Sequence, residues 1–186
     1  CLNSDPILKN LFIRNNQSNN PGGGIAFHQS SSKLYNVIIR GNEGNGGGGV
    51  YLSSDSDIHF ETVKVTDNYA TTKGGGIWAS GGQLTISNSV INNNTTEDDG
   101  GGLACHDGTV LNINSSEVSG NIAGLEGGGF YLHANDSVRI VFTTISDNQA
   151  TNNGGGIVLR GDNNDPYFQN LTITNNTASN TAEILD

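Results

Sequence analysis

The sequence predicts an all-β chain wound as a right-handed parallel β-helix, a solenoid of about seven coils of 26–27 residues with three strands in each. Three observations predict it. A Gly-Gly-Gly triplet followed by an apolar residue recurs six times, leading into Ile25, Val50, Ile77, Leu103, Phe130 and Ile157 at steps of 25 to 27 residues. An asparagine column runs in phase with it through Asn16, Asn42, Asn68, Asn94, Asn121, Asn148 and Asn176, each with Ile or Val three positions earlier. Within each copy the apolar residues alternate with period two, which is the pattern of half-buried strands.

The first two strands of a coil lie before the asparagine. In one copy Ile58, Phe60, Val63 and Val65 face inward, and in another Val138, Ile140, Thr143 and Ile145 do, with a corner between the two halves. A second column marks that corner, running Asn10, Asn36, Thr62, Asn88, Ser115, Phe142 and Asn170. The third strand follows the glycines, with inward pairs Ile25/Phe27, Val50/Leu52, Ile77/Ala79, Leu103/Cys105, Phe130/Leu132 and Ile157/Leu159. Three strands per repeat cannot form a stack of hairpins, because tight hairpins need primed turns at alternate corners. They can form one coil of a parallel solenoid, and parallel crossovers are right-handed. The glycines are expected where φ is positive or backbones approach closely, and the asparagines where stacked amides bond from coil to coil.

Composition narrows the function classes. Glycine and asparagine, 27 residues each, make up more than a quarter of the 186 residues, which excludes a helical chain. Eight Lys and Arg against 18 Asp and Glu give a net charge of -10, so the chain has no basic footprint for nucleic acid. No apolar run approaches the ~20 residues of a membrane-spanning helix, and no direct membrane insertion is expected. Residues 1–186 read as one β-helix domain, a fragment of a longer surface protein, with Cys1 either a lipidation site or a boundary. Two cysteines are too few for a disulfide scaffold, and Cys105, in an inward column, is expected to be a small buried residue.

The repeat consensus, Ile-x-x-Asn-x-Ala/Ser and then Gly-Gly-Gly-Ile, stands clearly in Ile145-Ser146-Asp147-Asn148-Gln149-Ala150 and Gly154-Gly155-Gly156-Ile157. It resembles the repeat of the chlamydial polymorphic membrane protein family, whose paired motifs are Phe-x-x-Asn and Gly-Gly-Ala-Ile/Leu/Val. The likeness covers essentially the whole chain, with Ile or Val where that family has Phe and Gly where it has Ala. It implies an autotransporter-like passenger, displayed outside the cell and acting as an adhesin. In the last copy, Thr181-Ala182-Glu183-Ile184 replaces the triplet.

A site on a solenoid is a stripe on neighbouring coils. After the glycines, one outward column runs Ala26, Tyr51, Trp78, Ala104, Tyr131, Val158 and its neighbour His28, Ser53, Ser80, His106, His133, Arg160. Exposed aromatic faces suit pyranose rings, with histidine and serine reaching hydroxyls, so Tyr51, Trp78, Tyr131, His106 and His133 are the candidate ligand-binding residues. His106 and His133 are expected to stack one coil apart. Before the triplets, Lys73, Asp99 and Glu126 fall in register, and two close carboxylates suit glycoside hydrolysis or a Ca²⁺ ion. Asp99, Glu126, His106 and His133 are therefore the weak catalytic candidates, beside the blander reading of a salt-bridge stripe. Glycosylation sequons begin at Asn16, Asn93, Asn94, Asn114, Asn135, Asn170 and Asn175.

The expected function is a non-enzymatic, extracellular or cell-surface segment acting as adhesin or display stalk, with no cofactor and with a glycan or a host or neighbour cell-surface protein as partner. The alternatives are a polysaccharide lyase or glycoside hydrolase of the β-helix class, and a structural filament module that associates end to end through its open coil ends.

Overall fold

The computed structural model describes residues 1–133, 137–161, 166–182 and, as backbone, 184–185. Every strand pair is parallel, and each strand pairs with its counterpart about 26 residues away, so the sheets run along the stacking axis. One coil shows the pattern. Asp57–Glu61 and Lys64–Thr66 meet at the corner residue Thr62, Tyr69–Ala70 follows Asn68, and Ile77–Ser80 follows the glycine triplet. Among the described residues three sheets are seven-stranded, and the short strands that follow the ladder asparagines form a fourth of five. Six turns are complete, and a seventh ends in Ile184–Leu185. The expected three strands per coil thus become four. The extra strand is too short for a period-two pattern, and its inner residues Ala70, Thr96, Ala123 and Ala150 are small.

The alternating residues do face inward. Phe60, Ile86, Ile113 and Ile140 from one sheet, Val65, Ile91, Val118 and Ile145 from the next, and Leu52, Ile77, Leu103 and Phe130 from the last form one continuous apolar core. Cys105 is fully buried in it, and no disulfide joins it to the exposed Cys1. Seven residues from Asn10 to Asn170 hold φ near +50° at the corner between the first two sheets, as the corner column predicts. A further left-handed column, not anticipated, is formed by the residue before each ladder asparagine: Asn15, Gly41, Asp67, Asn93, Gly120, Asp147 and Asn175. Only glycine, asparagine and aspartate occupy it, which is the signal that marks it.

The asparagine ladder is complete. Asn94 Nδ2 donates to Asn121 Oδ1 at 3.0 Å and to the Val65 carbonyl at 2.9 Å, while its own Oδ1 accepts from Asn68 Nδ2 at 2.9 Å and from the Asn68 backbone N–H at 3.1 Å. Asn42, Asn68, Asn121 and Asn148 repeat this arrangement, so amides that are almost wholly buried have all their donors and acceptors engaged. The sequon asparagines Asn16 and Asn94 belong to this ladder, and Asn94 is fully buried; Asn135 lies outside the described residues.

The ladder also explains the phase of the glycines. The third glycine of a triplet packs on the ladder amide of the following coil: a Cβ on Gly76 would lie 2.9 Å from Asn94 Nδ2 and 2.6 Å from the Gly102 oxygen. The second presses on the next coil's short strand, where a Cβ on Gly75 would meet the Thr95 backbone at 2.6 Å. The first, Gly74, turns the chain with φ +63°. Triplet and asparagine recur together because they touch across coils.

Candidate functional site

The outward face of the glycine-led sheet is in the expected register. Tyr51 pairs with Trp78, Trp78 with Ala104 and Ala104 with Tyr131, while Ser53, Ser80 and His106 align beside them. The rings gather into two groups with Ala104 between. In the first, Tyr51 lies 5.5 Å from His28 and 5.1 Å from Trp78, each tilted by more than 50°. In the second, His106 stacks on Tyr131 at 5.4 Å and on His133 at 5.3 Å. Those separations are the favourable range for ring pairs.

This strip is more closed than an exposed platform. Tyr51 and Trp78 are half-buried, but Tyr131 is only 9% exposed and Ala104 not at all. Lys73 is part of the reason. Rising from the loop before its own triplet, it carries its ammonium to 5.2 Å from the Tyr131 ring centroid, two coils away, and to 3.3 Å from Asp99. Tyr131, His106 and His133 thus form the wall beside the Ala104 dip, and Tyr51 and Trp78 offer the more open rings.

The carboxylates expected to act as a pair face cations instead. Asp99 bonds Lys73, while Glu126 holds the Arg160 guanidinium through both its oxygens, with Arg160 Nε at 2.8 Å and Asn153 Nδ2 at 2.6 Å. Burial raises the Asp99 pKa against the opposing pull of Lys73, whereas Arg160 lowers that of Glu126. Burial, helped by the Lys73 charge, takes His106 down to about 4, so the imidazole is neutral at pH 7. Among the described residues no group of three or more His, Cys, Asp and Glu is placed to hold a metal ion.

Two polar atoms on the strip have their surface wholly buried and no hydrogen-bond partner among the described residues: Trp78 Nε1 and His106 Nε2. Polar groups left so are costly unless something bonds them. At the strip's edge Ser80 donates to Asp107 Oδ2 at 2.6 Å, and burial raises the pKa of the Tyr51 phenol. Asp107 therefore turns to Ser80, although its place in sequence is beside His106. It also lines an open groove of about 580 Å³ with Asp55, Asp57, Gln83, Gly81 and Gly82. The groove was not anticipated from sequence; the signal is the paired glycine where the preceding coil has Ser54-Asp55-Ser56.

A family model described as a right handed beta helix region matches residues 23–183. No curated protein and no solved structure matches the chain.

Proposed function

The chain belongs to the right-handed β-helix family, and from that premise we propose that it is a non-enzymatic glycan-binding segment of a surface or secreted protein, acting as adhesin or display stalk. The observation that carries the reading is the Tyr51/Trp78 pair, two half-buried aromatic rings 5.1 Å apart on the outward face of one sheet. A pyranose ring offers apolar C–H groups to such faces and hydroxyls to the serines beside them, Ser53 and Ser80. The likeness of the repeat to chlamydial surface passengers supports display outside the cell, and a rigid rod with laddered coils suits a stalk that holds a binding face away from its anchor. The partners on this reading are cell-surface glycans or the proteins that carry them.

Titration of the single tryptophan's fluorescence with an oligosaccharide panel, run beside an assay for chain cleavage, tests it. A saturable change without cleavage, lost in Tyr51→Ala, is the expected result; no response to any saccharide overturns it.

One observation favours the polysaccharide-degrading alternative. Asp99 and Glu126 are carboxyls whose surroundings push their pKa values apart, an arrangement that separates acid from base in glycosidases. Each is held by a cation, so cleavage abolished by both Asp99→Asn and Glu126→Gln would be needed to establish it.

A further inference from the structure

We infer that the glycan this face takes is a cationic amino sugar, an oligomer with unacetylated ammonium groups. The inference rests on the glycan reading above and concerns the charge of the ligand.

The charges of the face are sorted by position. On the strip, the cations nearest the rings are already engaged: Lys73 by Asp99 and Arg160 by both oxygens of Glu126. The His106 ring, packed between Tyr131 and His133, is neutral at pH 7. A sugar carboxylate or sulfate lying on Tyr51 and Trp78 would give up water without gaining one of these cations, unless it broke an existing ion pair.

The adjoining groove has the opposite character. Asp55, Asp57 and Asp107 are exposed around it, with Gly81, Gly82 and Gln83 between them in the lining. Among the described residues, no Lys or Arg makes an ion pair with any of the three. The groove adjoins the rings through Ser80, two residues beyond Trp78 on the same strand, whose Oγ donates to Asp107 Oδ2. A pyranose resting on Tyr51 and Trp78 would have its edge toward these carboxylates. An ammonium on that edge gains several acceptors at once, while a hydroxyl gains hydrogen bonds without the charge. The net charge of -10 adds attraction at long range for a cationic chain and repels a polyuronate.

The test compares three tetrasaccharides of opposite charge type: glucosamine tetramer, N-acetylglucosamine tetramer and galacturonate tetramer. Each is titrated at low salt and below neutral pH, where the amine is charged, with Trp78 fluorescence and calorimetry as readouts. The glucosamine tetramer is expected to bind about tenfold tighter than its acetylated form, the gain of two or three exposed charge contacts, with galacturonate weakest. The double variant Asp55→Asn/Asp57→Asn should erase that preference, bringing the glucosamine tetramer down to the affinity of its acetylated form. Asparagine suits position 55, whose φ is +61°, as it does at Asn15 and Asn93. A galacturonate or N-acetylglucosamine tetramer that binds as tightly as the glucosamine one overturns the inference and leaves the glycan reading standing. Silence with all three overturns both. Tetralysine that matches the glucosamine tetramer in affinity and in Trp78 response would reduce the preference to unspecific charge attraction and overturn the inference too.

Discussion

Asn94 and Asn121, one coil apart and both fully buried, are joined twice, because Oδ1 of Asn121 accepts the side-chain amide and the backbone N–H of Asn94, each at 3.0 Å. Replacing Asn94 by alanine strands the Asn68 backbone N–H and one Asn68 amide hydrogen, and strips a bond from the Val65 carbonyl. With each orphaned group costing about 1–3 kcal/mol, Asn94→Ala should lose roughly 3–5 kcal/mol, read as a lower urea midpoint. Asn16→Ala, at the exposed first rung, should lose much less.

Two glycines of different kinds should respond differently. Gly75→Ala drives a Cβ to 2.5 Å from the Gly101 oxygen and 2.6 Å from the Thr95 backbone, which cannot move aside without parting two coils. A loss above about 3 kcal/mol is expected in chemical denaturation. Gly41→Asn should be close to neutral, within about 0.5 kcal/mol, because φ there is +62°, its Cβ meets only the Asn15 side chain, and neighbouring coils already carry Asn or Asp.

Phe142 holds φ +51° in a corner column otherwise filled by Asn, Ser and Thr, with its ring 57% exposed. The ring gains little from packing, and the left-handed backbone disfavours it. Phe142→Asn should therefore raise stability by about 1 kcal/mol, visible as a higher melting temperature.

His106 gives stability an acid limit. Its folded pKa, about 4, lies below the unfolded value of 6.5, so between these values the unfolded chain binds the extra proton. Its contribution is fully present above pH 6.5 and is lost as pH falls toward 4. Denaturation curves across that window should show the decline, and His106→Gln should flatten it. A ring that titrates by NMR near its ordinary value would contradict the cause.

The glycine and asparagine columns were legible because a solenoid repeats each backbone demand at a fixed spacing, so Gly76 and Asn94 announce their contact through phase alone. The four-sided cross-section was less legible, since Tyr69–Ala70 is too short to alternate. At the candidate site the columns of rings could be read, but not their cover. Lys73 reaches Tyr131 across two coils, and Arg160 reaches back to Glu126; both depend on side-chain conformations that column spacing does not encode. The aspartate groove was hidden for a similar reason, because Asp55, Gln83 and Asp107 come together through loop conformations that column spacing does not encode.

The ladder has a direction. In all six rungs from Asn16 to Asn176 the amide-to-amide bond runs one way, with the donating N–H on the earlier coil and the accepting oxygen on the later one. The small amide dipoles therefore add along the rod, as peptide dipoles do in a helix, with the negative end toward the N-terminal coils. The rod is a vector rather than a neutral spacer. A further coil of the same kind prolongs the series only in the same sense, whereas one turned end for end would set oxygen against oxygen or N–H against N–H.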